Sequence, residues 1–177
     1  MIRAIFLDVD GTLISFSTHE IPASARRALT QAHERGVRLF IATGRAANDL
    51  GPLEGIPYDG VVSLNGARCV ANDGRVVSLH PIPRADFERA LALSEEQGFA
   101  MGLELEEGVF VNRVTPDVER VAHMVAHPVP EQTDLRELFG RVECCQLCFY
   151  FDAETQRRVM AELPTLAASR WCPIFSD

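Results

Sequence analysis

The stretch Ile2-Arg3-Ala4-Ile5-Phe6-Leu7-Asp8-Val9-Asp10-Gly11-Thr12-Leu13 decides how the rest of the chain is read. Ile2 to Leu7 is a short, continuous apolar run, the pattern of a strand buried on both faces of a parallel sheet. It stops on Asp8 and Asp10, which on an extended backbone project to the same side, about 6.6 Å apart. Carboxylates this close oppose each other's ionisation unless a cation is near, and Mg²⁺ is the hard, oxygen-seeking ion usual beside phosphate. Gly11 lets the backbone turn sharply, and its N–H, with that of Thr12, can face an anion. Alone, Asp-x-Asp-Gly is as readily a plain turn held by side-chain-to-backbone hydrogen bonds. The strand ends that follow it make the difference.

A helix is predicted from Ser24 to Arg35, with Ala25, Ala28, Leu29 and Ala32 on one face, Ser24 as N-cap and Gly36 as the stop. Val37 to Ala42 reads as a second buried strand, ending at Thr43-Gly44-Arg45. After a short helix over Ala46 to Leu50, Val61 to Leu64 is a third strand, ending at Asn65-Gly66. A hairpin of Ala67 to Ala71 and Arg75 to Leu79 turns at Asn72-Asp73-Gly74. Strand, helix, strand, helix, strand in series means a doubly wound α/β core. Ligands in such sheets bind beyond the carboxyl ends of the strands, where these three polar turns collect.

Beyond Pro81 and Pro83 the pattern changes. A helix through Phe87, Ala90, Leu91 and Ser94 stops at Gly98, and Phe99–Leu105 and Val109–Val114 read as antiparallel strands. Helices near Asp117–Ala126 and Asp134–Phe139, a strand at Val142–Phe151, a helix at Ala153–Leu163 and a last strand at Arg170–Phe175 complete an α+β module. The expected division is residues 1–81 and 82–177, each within the usual size of a domain or part of one.

Composition narrows the partners. The 177 residues are 47% apolar and 24% charged, which excludes wholesale disorder and a disulfide miniprotein. A net charge of −8 argues against a nucleic-acid-binding surface. No apolar run approaches the roughly 18 residues of a membrane span, and the N-terminus is too short for a signal peptide before Asp8. The expectation is a cytoplasmic protein with reduced cysteines, no membrane partner and no nucleic acid. All 17 basic residues are arginine; the chain has no lysine.

Asp8-Val9-Asp10-Gly11-Thr12-Leu13 after an apolar strand, with Ile41-Ala42-Thr43-Gly44-Arg45 and Leu64-Asn65-Gly66-Ala67, resembles the haloacid dehalogenase (HAD) superfamily of phosphatases. It is similar in particular to the Cof-type members of subfamily IIB, in which a large α+β cap of type C2B is inserted after the third strand of a Rossmann-like core. The resemblance implies an Mg²⁺-dependent hydrolase of small phosphorylated metabolites, with sugar phosphates foremost. Asp8 would attack phosphorus and form an aspartyl-phosphate. Asp10 would protonate the leaving alcohol and then deprotonate the attacking water. The Asp8 carboxylate and the Asp10 carbonyl would hold Mg²⁺, whose charge offsets the repulsion between carboxylate and phosphate. Gly11, Thr12, Thr43 and Gly44 would bind the phosphoryl oxygens, and Arg45 and Asn65 would orient substrate or cap.

The family completes this site with a lysine and a further acidic motif, both C-terminal to such a cap and neither found in these residues. The expectation is therefore an N-terminal piece of a longer protein, rather than a half completed by another chain. In the family's strand order Ile2–Leu7 would then lie at a sheet edge, through which the chain could self-associate. A glycoside hydrolase also needs paired carboxylates, but has no use for an anion-binding turn. A response-regulator receiver lacks an inserted second domain. A non-catalytic binding protein on a decayed scaffold stays open because the lysine is missing.

Cys144, Cys145 and Cys148 are read as buried strand cysteines and not as zinc ligands, with Cys69 and Cys172 isolated. His123 and His127 are read as solvated or capping, and Glu104, Glu106 and Glu107 as a solvated hairpin tip.

Overall fold

The structure, a computed structural model, describes residues 2–168 apart from 16, 19, 48 and 126, with residue 52 described by its backbone only. The predicted strand at Arg170–Phe175, Cys172 among it, lies outside the described residues. Two compact units divide the chain after His80. Among the described residues no helix is long and apolar enough to cross a membrane.

The first unit is a mixed α/β layer with a Rossmann-like parallel part. Strands β1 (Ala4–Leu7), β2 (Arg38–Ala42), β3 (Gly60–Ser63), β4 (Arg68–Ala71) and β5 (Val76–Leu79) form one sheet in that spatial order. β1, β2 and β3 run parallel, in the register Ile5 to Leu39 and Ile41 to Val61, and the β4–β5 hairpin adds antiparallel. Helix α1 (Ala23–Glu34) makes the β1–β2 crossover. Its N-cap is Pro22 with no side-chain cap, so Ser24 lies inside the first turn and does not cap it. Proline suits that place because its missing N–H would have no helical partner. Gly36, at φ 82, terminates the helix as expected. The helix predicted over Ala46 to Leu50 is not formed by the described residues of that range; a single 3₁₀ turn follows at Gly51–Leu53, with its proline in the first turn.

Ile5, Leu7, Leu39, Ile41 and Val61 point to the face that packs with Leu29 of α1 and with Leu50, Leu53 and Ile56. The expectation of a strand buried on both faces fails for β1. Ile2 is 69% and Phe6 63% exposed, and Phe6 stacks on Phe40 at 4.9 Å between ring centroids. A continuous apolar run does not reveal which face is covered, and β1 is the edge strand here.

In the second unit, β6 (Ala100–Leu105), β7 (Gly108–Val111), β8 (Glu131–Gln132) and β9 (Gln146–Tyr150) form a sheet in the order β8-β7-β6-β9. Helices α2 (Arg84–Gln97), α4 (Leu135–Phe139) and α5 (Ala153–Ala161) pack Phe87, Leu91, Leu135 and Val159 onto Met101, Leu103 and Leu105. Alternation along β6 sends Ala100 to the opposite face, where α3 (Pro116–Met124) covers it with Val118 beside Val111 and Tyr150. The buried Ser94 hydroxyl donates to Phe99 O at 2.6 Å and accepts from Asn112 Nδ2 at 2.8 Å, which satisfies a polar group inside this core. Phe87 is fully buried and stacked on Phe139 at 4.0 Å. Phe87→Ala is expected to lower unfolding stability by about 3–5 kcal/mol through transfer and cavity terms, read from a denaturant melt.

Two expectations for this unit differ from the structure. β9 starts at Gln146, so Cys144 and Cys145 precede the strand and only Cys148 lies in it. Glu104 belongs to β6 and accepts from Gln146 Nε2 and Cys148 Sγ, so the turn consists of Glu106 and Glu107 alone. The two-residue β8 is too short to leave a pattern in the sequence. Burial pushes the Cys144 thiol up to about 11. The unfolded chain therefore loses this proton first, and stability should fall as pH rises from the ordinary thiol value towards 11. Below that range Cys144 should resist a thiol-labelling reagent until the protein unfolds.

Candidate active site

The site is built on the turn after β1. Val9 is 1% exposed, and its carbonyl accepts from the N–H groups of Leu13 at 3.0 Å and Ile14 at 2.8 Å. The side chains of Leu13 and Ile14 are buried in the same core. With Val9 pointing inward, the two-residue period turns Asp8 and Asp10 outward. Gly11 takes φ 79, which a glycine accepts without strain.

The turn spends its own amides, however. Gly11 N–H donates to Ile14 O at 2.9 Å and Thr12 N–H to Val9 O at 3.4 Å, so neither faces an anion as expected. Gly11 shapes the turn, and Thr12 acts through its hydroxyl, which donates to Asp8 Oδ2 at 2.7 Å. Asp8 is exposed, and among the described residues nothing donates to its other carboxylate oxygen. The Asp10 carbonyl likewise accepts no hydrogen bond among them.

Asp10 is held across the sheet from β2. The Arg45 guanidinium binds it in a fork, Nε to Oδ2 at 2.9 Å and Nη2 to Oδ1 at 2.7 Å, a planar match that no lysine could reproduce. Nη1 of the same group donates to Asp49 O at 3.2 Å and Oδ2 at 3.0 Å. The hydrogen bond to Asp10 raises the Arg45 pKa above its ordinary value, against a smaller opposing effect of burial. Arg45 thus touches both Asp10 and Asp49. Asp49 was missed. Its pairing with Arg45 depends on how the chain turns after β2, which no local pattern in the sequence marks.

Thr43 continues the parallel ladder through its N–H to Val62 O at 2.9 Å and is 6% exposed. Its hydroxyl oxygen accepts from Arg45 N–H at 3.2 Å, so the hydroxyl proton remains to donate. Gly44 lies against the Asn65 side chain, whose Oδ1 would be 3.2 Å from a Cβ placed there. Asn65 N–H donates to Thr43 O at 3.1 Å. Asp8, Asp10, Thr12, Thr43, Gly44, Arg45 and Asn65 are therefore connected across three successive strand ends.

Among the described residues no group of three metal-ligating side chains exists. An unengaged Asp8 oxygen and an unengaged Asp10 carbonyl nevertheless fit Mg²⁺, which keeps several waters and takes few protein oxygens.

The sequence profile of haloacid dehalogenase-like hydrolases matches residues 5–174. BT1666 from Bacteroides thetaiotaomicron, a phosphatase of the HAD superfamily, shares the structure at a TM-score of 0.93 and 53% identity over 98% of this chain and 65% of its own. BT4131, a subclass IIB sugar phosphatase, superposes at 0.84 with 30% identity over 97% of this chain and 67% of its own. YkrA of Bacillus subtilis (strain 168) is 25% identical over 181 residues, which are 99% of this chain and 67% of that protein. The chain belongs to the haloacid dehalogenase-like hydrolases. Within them it sits with the Cof-type phosphatases, and it spans about two thirds of the length of these relatives.

Proposed function

We propose that the protein carrying this chain is an Mg²⁺-dependent phosphatase of small phosphorylated metabolites, sugar phosphates foremost, working through an aspartyl-phosphate on Asp8. The observation that carries this is the division of labour between two neighbouring carboxylates: Asp8 is exposed with one oxygen unengaged, while both oxygens of Asp10 are held by Arg45. The Asp8 oxygen forms a bond to phosphorus as the bond from phosphorus to the sugar oxygen breaks, and Asp10 gives that oxygen its proton. Asp10 then takes a proton from the water that cleaves the acyl phosphate and returns Asp8 to its starting form. Proton delivery needs the Arg45 fork to loosen, since the guanidinium occupies both Asp10 oxygens. Thr12 keeps the Asp8 carboxylate in one orientation, and the Thr43 hydroxyl donates to a phosphoryl oxygen. Asp8 and the Asp10 carbonyl would hold Mg²⁺, which supplies charge neutralisation between carboxylate and phosphate.

The similarity to a sugar phosphatase supports the substrate class. The lysine and acidic motif implied by the family are not among these 177 residues, so the species to assay is the native polypeptide. That polypeptide should release phosphate from hexose phosphates with Mg²⁺, lose the activity in excess EDTA, and regain it when Mg²⁺ is restored. Hydrolysis undiminished by EDTA, or none from any phosphomonoester, would contradict the proposal.

A further inference from the structure

We infer that the turn Leu64-Asn65-Gly66 is a strained clamp that positions Thr43, Gly44 and Arg45, with the Asn65 carboxamide as its working group. The inference rests on the phosphatase reading and assigns Asn65 a positioning role in place of substrate contact. Leu64, Asn65 and Gly66 take φ of 50, 54 and 96 in succession. Glycine accepts the left-handed region freely and asparagine tolerates it, but a leucine there is strained and persists only where its surroundings impose it.

The strained conformation aims three groups at one target. Leu64 N–H donates to Arg45 O at 3.1 Å, and the next amide, that of Asn65, donates to Thr43 O at 3.1 Å. The buried Leu64 side chain and the Ala67 N–H to Leu64 O bond of 3.0 Å hold the turn from below. Between the two gripped carbonyls, the Asn65 carboxamide rests on Gly44. A Cβ at 44 would meet Oδ1 at 3.2 Å and Nδ2 at 3.3 Å, and its three nearest atoms all belong to Asn65. Gly44 does not have a left-handed φ, so it is the carboxamide that a side chain there would meet.

The grip has a consequence for both chemical groups of this loop. Fixing the Arg45 backbone lets its N–H occupy the Thr43 hydroxyl oxygen, which leaves the hydroxyl proton for an anion. It also fixes where the guanidinium starts on its path to Asp10. Asn65 therefore acts on phosphate through Thr43, Gly44 and Arg45.

The test uses Asn65→Gly, Gly44→Ala and the double variant in the native polypeptide. It measures BeF₃⁻ binding with Mg²⁺ by calorimetry, kcat and KM for a hexose phosphate, and the thermal midpoint. Glycine accepts the φ of position 65, so Asn65→Gly should keep its thermal midpoint. It should nevertheless weaken BeF₃⁻ binding and lower kcat by about ten- to a hundredfold, the scale of a small misplacement of a reacting group. Gly44→Ala should be impaired as well, and the double variant less impaired than the two losses combined, because removing the carboxamide makes room for the methyl group. Asn65→Gly binding BeF₃⁻ as tightly as wild type would overturn the inference, and so would strictly additive losses in the double variant. A wild-type protein that binds no BeF₃⁻ with Mg²⁺ would overturn the phosphatase reading, and the clamp would fall with it.

Discussion

Asp8→Asn is expected to abolish Mg²⁺-dependent hydrolysis of sugar phosphates, by at least about 10⁴-fold in kcat, the scale on which enzymes fail when a covalent nucleophile is removed. The amide oxygen is too weakly nucleophilic to displace the sugar oxygen from phosphorus. The fold should hardly notice the change. Asp8 is exposed, and its side chain accepts one hydrogen bond, from Thr12, which an amide oxygen can also accept. Thermal melts of wild type and variant should therefore superpose within the small range usual for surface substitutions. Residual turnover within tenfold of wild type, in a variant whose identity is verified by mass, would remove Asp8 from the reaction.

Asp10→Asn should cost about 10²–10⁴-fold in kcat for a sugar phosphate, the usual contribution of a positioned acid–base group. The leaving group makes the prediction sharper. A sugar alkoxide needs a proton as it departs, whereas a nitrophenolate leaves without one. The loss in the first step should shrink with p-nitrophenyl phosphate, and a burst of nitrophenol should appear as the second step becomes limiting. Equal losses on both substrates without a burst would mean that Asp10 only supports the local structure. Such support is the competing explanation, because Asp10 is half of the Arg45 fork and its removal leaves a half-buried guanidinium with Asp49 alone. A thermal melt of the same variant separates the two, since loss of structure lowers the midpoint and loss of proton transfer does not.

The class of fold was legible because buried strands and strand-end turns are local patterns. Val37–Ala42 and β2 differ by one residue, and the glycine stops at Gly36 and Gly98 fall where the helices end. Features that depend on the third dimension were less accessible. The apolar neighbours of Phe6 in sequence point to burial, yet its exposure depends on what covers that face of β1. Glycine permits a turn that could free the Gly11 amide for an anion, but the chain folds back far enough for Ile14 O to take it. The pairing of Arg45 with Asp10 joins residues 35 apart and depends on which way two side chains lean over adjoining strand ends. The Leu64–Asn65 conformation could not be anticipated, since leucine is among the residues least expected at positive φ. The strand-end turns that carry these side chains could thus be read from the sequence, and the mutual contacts of the side chains could not.

The most direct measurement is a rapid acid quench of the native polypeptide turning over a hexose phosphate with Mg²⁺, followed by tryptic digestion and mass spectrometry. Cleavage after Arg3 and Arg26 isolates Asp8 on the peptide Ala4–Arg26. One phosphoryl group is expected on Asp8 of that peptide, absent from the Asp8→Asn variant and removed by mild base. A phosphoryl group on any other residue, or steady turnover with no phosphorylated peptide under quench, would contradict it.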